Sequence, residues 1–192
     1  MSQENREVVR GVRISLPPLS ERAVQRRTLD ERLFVRSPAL YRWVADATTR
    51  LPPRSRLRRL IVAYSIQRGY AALTRRDYDA VLIRSDPEVE YRPNGDLIAP
   101  DLDPVYYGHD GYRRLWKRWF DAFDDFHWEP KEIIDFGDKL LVTAELKGHG
   151  SGSGVAVSET AFQLFKQRRG LSISQEDFTD RREALEAAGL RE

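Results

Sequence analysis

The sequence lacks cysteine, and it contains one methionine and three histidines among its 192 residues. Without cysteine the chain has no thiol catalysis, no zinc–cysteine site and no disulfide framework. Because disulfides and an apolar leader after Met1 are both missing, we expect a cytoplasmic protein. No apolar run reaches the roughly 18 residues that a membrane span requires, so the sequence predicts no transmembrane segment.

Lysine is missing from the first 76 residues, which contain 17 arginines and six acidic residues. This segment has a formal charge of +11, whereas the whole chain has +2, so the remainder is acidic. A basic segment of this kind can meet nucleic acid, an anionic membrane surface or the acidic part of its own chain. The arginines are scattered among apolar residues, which favours the intramolecular interpretation, and we do not expect nucleic-acid binding.

Three runs with strand-like composition follow one another between Asp138 and Asp177. They read DKLLVTAELKGHG, VAVSETAFQLFKQR and LSISQEDF, and the breaks between them are a glycine-serine run and Arg169-Gly170. Short glycine-containing connections are typical of hairpins and not of helical crossovers. The sequence therefore predicts an antiparallel meander whose apolar face needs a cover.

The first part of the chain predicts helices that could supply this cover. Residues 1–20 are polar and contain two successive prolines, so we expect a loosely held tail. Residues 21–35 and 39–50 predict helices. The second of them has an apolar stripe at Leu40, Trp43, Val44 and Ala47. We therefore divide the chain into a basic helical arm with a flexible tail over residues 1–52 and a main domain over residues 53–192.

The main domain begins with a long predicted helix over residues 54–75. Its apolar positions follow helical spacing and predict one buried face, while the arginines lie largely elsewhere on the wheel. These apolar positions are Leu57, Leu60, Ile61 and Tyr64. Asp77 is a candidate N-cap for a short second helix. A strongly aromatic helix is predicted over residues 110–124, and a last helix begins at Asp180 and ends at Gly189.

Two further strands complete the predicted sheet. In the first, Val89 and Tyr91 point to one face while their neighbours point to the other. Asn94-Gly95 forms a turn, residues 100–104 form a proline-bounded loop, and residues 126–136 form the next strand. Together these elements predict an α+β fold, a cone-shaped curved antiparallel sheet covered by N-terminal helices, whose mouth can admit a ligand.

The chain contains, in this order, DPEVEYRP, YYGHDGYRRLWKRWFDAF, the meander and QEDFTDRREALEAAGL. Over about residues 61–190, this order of elements resembles the SnoaL-like branch of the nuclear transport factor 2 superfamily. It implies polyketide cyclase, ketosteroid isomerase or epoxide hydrolase chemistry, all cofactor-free acid/base reactions, or a member without a reaction. Because dimers are frequent in these families, we also expect a homodimer.

Two members of the superfamily suggest where a catalytic carboxylate would stand. Similarity to the ketosteroid isomerases would require a base just after Val89-Glu90, where this chain has Tyr91, a poor base at neutral pH. Similarity to the limonene epoxide hydrolases is better, because Asp177-Phe178-Thr179-Asp180 retains both acids of their last strand. Asp177 would then position or deprotonate a water. Their Arg-x-Asp partner motif appears at best as Thr143-x-Glu145, without the arginine.

The residues themselves offer four candidates for acid/base catalysis. Asp177, Glu145 and Glu159 sit on the three consecutive strands, so hairpin pairing could bring two of them onto one face. Alternatively they are solvated on the convex side of the sheet. His109 sits beside Asp110 and could be oriented by it, or it could simply begin the aromatic helix. The histidines have no metal-ligand spacing, and we expect neither a metal nor a cofactor.

Six aromatic residues are candidates for contact with a flat apolar ligand, and core packing explains them equally well. They are Tyr91, Tyr107, Trp116, Trp119, Phe120 and Phe123. Two functions remain open. One is a domain that binds a small apolar molecule, with or without cofactor-free acid/base chemistry. The other is a non-catalytic dimerisation or scaffold module that docks through its arginine-rich arm.

Overall fold

A computed structural model of the protein describes residues 11–94 and 102–190. Its centre is a seven-stranded sheet with the order β1-β4-β5-β6-β7-β2-β3. The strands are β1 Val12–Ser15, β2 Ser85–Arg92, β3 Tyr106–Tyr107, β4 His127–Asp135, β5 Lys139–His149, β6 Ala156–Arg168 and β7 Leu171–Phe178. The helices are α1 Glu21–Gln25, α2 Leu29–Arg36, α3 Pro38–Thr49, α4 Arg56–Thr74, α5 Tyr78–Leu82, α6 Gly108–Ala122 and α7 Arg181–Ala188.

The predicted α+β fold and its meander are confirmed. Strands β5, β6 and β7 are antiparallel neighbours along their length. The sheet is not antiparallel throughout, however, because β2 pairs with β7 in parallel. A short turn implies antiparallel pairing only for the two strands that it joins, and more than 70 residues of chain separate β2 from β7. The predicted turn at Asn94-Gly95 and the predicted loop over residues 100–104 lie only partly within the described residues.

The α6 helix covers the concave face of the sheet with its aromatic side. Trp116 and Trp119 are buried there together with Tyr91 of β2 and Trp128 of β4. The last helix, α7, packs on the other side of the sheet against Leu141 and Leu164. Within the described residues, no helix is both long and apolar enough to cross a membrane.

The predicted buried face of α4 is wrong. Leu57, Leu60 and Tyr64 are 57%, 69% and 43% exposed, whereas Arg58 is 2% exposed. Arg58 is buried because Asp135 of β4 neutralises it through two hydrogen bonds of 2.7 and 2.9 Å. It also donates to the main-chain carbonyl of Gly137. This ion pair, which periodicity cannot detect, leaves Leu57 on the surface, whereas Leu60, Ile61 and Tyr64 line the cavity described below.

The predicted stripe of α3 is also wrong. Tyr41, Ala45 and Thr48 are buried, whereas Trp43 is exposed. The buried side contacts the turn between β6 and β7, where Gly170 has φ +74°. A Cβ atom at this glycine would lie 2.5 Å from the carbonyl oxygen of Ala45, so only glycine permits the approach.

The other segments of the predicted arm form a strand of the sheet and two further helices. Part of the segment predicted as a loose tail forms β1, which pairs with β4 and buries Ile14. The single helix predicted over residues 21–35 is divided into α1 and α2, because Thr28 and Glu31 form a capping box that starts a new helix. The domain boundary at residue 52 stays a prediction.

Candidate functional site

A cavity of about 670 Å³ lies between the helices and the concave face of the sheet. Its sheet wall includes Gln163 of β6 and Gln175 of β7, and its helical wall includes Tyr70 of α4 and Tyr112 of α6. Most of the other lining side chains are apolar or aromatic. A cavity of this size and character is typical of small-molecule sites.

Beside this sheet wall lies Asp177, a carboxylate that is only 5% exposed. It is placed by β7, whose register sets Asp177 opposite Gln163 of β6 on the inward face. Tyr91 donates to one carboxylate oxygen over 2.6 Å. The side-chain amides of Gln163 and Gln175 donate to the other oxygen over 3.0 and 3.2 Å. Both oxygens of the carboxylate are therefore hydrogen-bonded.

Two tyrosines fix the direction of these glutamine amides. Tyr70 donates to the amide oxygen of Gln163, and Tyr112 donates to that of Gln175 over 3.2 Å. Because each amide oxygen is occupied, each amide nitrogen must face Asp177. Tyr91 also lines the cavity, so one residue contacts both the cavity and the buried carboxylate.

Burial raises the pKa of Asp177 to about 6, although the hydrogen bonds from Tyr91, Gln163 and Gln175 lower it. Burial and the negative charge of Asp177 raise the pKa of the Tyr70, Tyr91 and Tyr112 hydroxyls well above their ordinary value. At neutral pH the carboxylate is thus mostly ionised, and the tyrosines remain donors. A carboxylate in this state can accept a proton and return it, as general acid/base catalysis requires.

The other predicted catalytic residues do not contact Asp177. Glu145 lies on the opposite face of the sheet, where the ammonium groups of Lys147 and Lys131 approach it to 2.8 and 3.2 Å and lower its pKa. Glu159 is exposed. The Nε2 atom of His109 lies 3.3 Å from the main-chain carbonyl of Ser85. We therefore remove these three residues from the candidate site.

The predicted ligand contacts divide into two groups. Tyr91, Trp116 and Trp119 line the cavity. Tyr107 is 61% exposed and is corrected to a surface residue. Phe120 and Phe123 are buried, but they are not among the residues that line the cavity. They pack against Phe126 with ring centroids 5.3 and 5.6 Å apart, so their role is in the core.

Sequence reasoning missed the glutamines, Tyr70, Tyr112 and the cavity residue Arg84. One signal was available: Gln163 alternates with Ala161 and Phe165, so a polar residue stands on the inward face of a strand. The part of the cavity wall contributed by α2 and α3 was also missed. These helices supply Asp30, Phe34, Tyr41, Val44, Ala45, Thr48 and Thr49.

Comparison with known proteins identifies the family. Residues 66–173, more than half of the chain, match the family model of the SnoaL-like domain. The chain therefore belongs to the SnoaL-like domain family, and the resemblance inferred from the sequence is confirmed. A search of the curated proteins finds no match.

Solved structures show the same fold at low sequence identity. An NTF2-like protein of unknown function from Burkholderia pseudomallei is 21% identical, with a TM-score of 0.55 over 64% of this chain and 93% of that chain. TerC, crystallised with polyporic acid, is 22% identical, with a TM-score of 0.54 over 61% and 89%. IdmH of Streptomyces antibioticus, described as a candidate polyketide cyclase, is 17% identical, with a TM-score of 0.53 over 67% and 98%.

Proposed function

We propose that the protein binds a small, largely apolar molecule in the cavity and rearranges it by cofactor-free acid/base chemistry. The observation that carries this proposal is the hydrogen bond of 2.6 Å between Tyr91, which lines the cavity, and Asp177, whose pKa is raised to about 6. A buried carboxylate with such a pKa is poised for proton transfer near neutral pH.

The proton path runs through Tyr91. As a bound molecule gives up a proton to the Tyr91 oxygen, Tyr91 passes its own proton to Asp177. The molecule then carries the negative charge, and Asp177 is neutral. Return of the proton to another atom of the molecule completes an isomerisation or a ring closure and restores both side chains. The chain's own residues suffice for this cycle, since no electrons are gained or lost.

Cyclase or isomerase chemistry fits the site better than epoxide hydrolysis. Epoxide hydrolysis of the type considered above needs a second carboxylate, and Glu145 lies on the other face of the sheet. The similarity to IdmH and to TerC with its polyporic acid also favours ring-containing ligands. Fold similarity alone does not choose a substrate, so this support is limited to the ligand class.

Exchange of an acidic C–H proton tests the proposal. The probe is 2-tetralone, a small bicyclic ketone, and its α-deuteration in D₂O is followed by proton NMR. We expect the wild-type protein to accelerate exchange, with a rate that rises as Asp177 ionises through about pH 6. Asp177→Asn should lower the accelerated rate by about a hundredfold, a usual contribution of a general base. Tyr91→Phe should lower it as well.

Glu159→Gln is the matched control, because it removes an exposed carboxylate of the same sheet. This variant should exchange the probe at the wild-type rate. Equal rates for wild-type protein and Asp177→Asn would contradict the catalytic part of the proposal. Calorimetry with the same ketone reports binding separately from catalysis.

A second candidate function is supported by exposed apolar side chains on the arm and on α4. Trp43, Leu57 and Leu60 are largely exposed, as are Leu29 and Leu33 of α2. Such side chains are typical of a docking or dimerisation surface, which keeps the homodimer and scaffold alternatives open. Light scattering on wild-type protein and on Trp43→Ser/Leu57→Ser, which leaves the cavity lining unchanged, tests this: a dimer that becomes a monomer supports docking, and unchanged mass counts against it.

A further inference from the structure

Arg84 is a cationic side chain in the cavity that the proposed acid/base chemistry does not use. It follows α5, immediately before β2, and lines the cavity. Its Nε–H donates to the main-chain carbonyl of Ser65 over 3.2 Å, and Nη1 donates to that of Ala80. Its guanidinium carbon lies 5.6 Å from the centre of the Tyr41 ring. Main-chain carbonyls and an aromatic face hold the guanidinium in place without neutralising it.

The second arginine of the cavity wall provides a contrast. Arg58 is paired with Asp135, and its remaining donors reach carbonyl oxygens. Among the described residues Arg84 makes no ion pair, and both N–H groups of its Nη2 lack an acceptor. A guanidinium has five N–H groups in a fixed fork that matches a carboxylate. Arg84 therefore has donors and charge to offer to an anion.

The acidic groups near the cavity are occupied elsewhere. Burial raises the pKa of Asp30 at the cavity rim, but hydrogen bonds with Thr28 and Tyr64 and the charge of Arg68 lower it below its ordinary value. Asp177 accepts three hydrogen bonds from other side chains. Neither carboxylate serves as a counter-ion for Arg84.

Helix α4 contacts both Arg84 and the hydrogen-bond network of Asp177. Ser65 and Gly69, one turn apart, adjoin Arg84, and a Cβ atom at Gly69 would contact the Arg84 side chain at 3.4 Å. The next residue, Tyr70, adjoins Gln163 of the Asp177 network. Because Arg84 and Tyr91 line the same cavity, a ligand there can place an anionic group at Arg84 while another part lies near Tyr91.

We propose that Arg84 binds the carboxylate or a comparable oxyanion of the ligand. The ligand class is then an apolar, ring-containing molecule that bears an acidic group, and the unbalanced guanidinium selects it over neutral analogues. This inference rests on the proposed function, because it requires that the cavity bind a small molecule.

Two probes of nearly identical shape test the inference. They are 2-naphthylacetate and 2-naphthylacetamide, which differ in charge, and their dissociation constants are measured by calorimetry. We expect the wild-type protein to bind the acetate about tenfold more tightly than the amide, a usual gain for a charge-assisted pair. Arg84→Met should abolish this preference by weakening the acetate, and Arg84→Lys should retain part of it. Arg59→Met, which removes an exposed arginine of α4, should behave as wild type.

The outcomes separate the two proposals. Equal affinity of the wild-type protein for both probes would overturn the role of Arg84 and leave the cavity as a binding site. Equal weakening of both probes in Arg84→Met and Arg84→Lys would assign Arg84 a structural role only. Failure of the wild-type protein to bind either probe would overturn both proposals. The comparison of the two probes on wild-type protein tests the role of Arg84 even if a variant does not fold.

Discussion

At the scale of single residues, Asp177 combines two opposing influences. Burial disfavours its charged form, whereas three donated hydrogen bonds favour it, and the result is a carboxylate that titrates near neutral pH. A structural carboxylate stabilises the folded protein when it is ionised, but ionisation of Asp177 destabilises the folded protein. Such a cost is common at functional sites, because the reactive group is not optimised for folding.

The cost has a defined pH dependence. The pKa of Asp177 is about 6 in the folded protein and near the ordinary 3.8 in the unfolded chain. Between these values the folded state binds more protons, so this group's contribution to stability falls as pH rises. The full loss is about 3 kcal/mol, since each pKa unit corresponds to about 1.4 kcal/mol.

We therefore expect Asp177→Asn to gain stability relative to wild type as pH rises from about 4 to about 7. Urea unfolding of both proteins across this range measures the difference in free energy of unfolding. Other carboxylates, such as Asp77 and Glu129, have lowered pKa values, and their effect on stability has the opposite sign. Their contribution is the same in both proteins, so it cancels in the difference. A pH-independent difference would mean that Asp177 has an ordinary pKa.

At the scale of secondary-structure elements, sequence patterns predicted strands better than helix faces. The meander was predictable because alternation and turn residues are local signals. The buried faces of α3 and α4 were not predictable, because the orientation of each helix depends on a contact that is distant in sequence. In α4, Arg58 contacts Asp135, and in α3, Ala45 contacts the turn at Gly170. Asp177 was a candidate from the resemblance and from its place on the meander, but its hydrogen-bond network was not predicted, since Tyr70, Gln163 and Gln175 come from three separate elements.

The Arg58–Asp135 pair is the main polar link between α4 and β4. Removing one partner leaves a buried charge uncompensated, so Arg58→Met should lower the free energy of unfolding by about 3–5 kcal/mol. The neighbouring Arg59 is exposed, and Arg59→Met should change it by less than about 0.5 kcal/mol. Urea unfolding of both variants makes the comparison. Similar small effects would show that Arg58 does not anchor the helix.

At the scale of the whole molecule, the SnoaL-like domain and the preceding helices share one cavity. Family similarity covers residues 66–173, yet α2 and α3 supply part of the cavity wall. The N-terminal helices are therefore expected to affect ligand binding as well as stability. Their contact at Gly170 allows this to be tested without truncating the chain.

Gly170→Ala should force α3 away from the sheet, because its Cβ atom would meet the carbonyl oxygen of Ala45. We expect about 2 kcal/mol of lost stability from the positive φ and the clash, together with weaker binding of 2-naphthylacetamide. Gly152→Ala is the matched control, since Gly152 has a similar φ of +79° and no atoms within 4 Å. If both variants bind the amide like wild type, α3 does not shape the ligand site.

In the proposed mechanism, Asp177 is a proton acceptor coupled to the cavity through Tyr91. Its most direct test is a carbon-13 NMR titration of the Asp177 carboxyl in wild-type protein and in Tyr91→Phe. We expect a pKa of about 6 in the wild type and a higher pKa in the variant, which lacks the hydrogen bond that lowers it. A wild-type pKa near the ordinary 3.8, or one that Tyr91→Phe leaves unchanged, would rule out this role of Asp177.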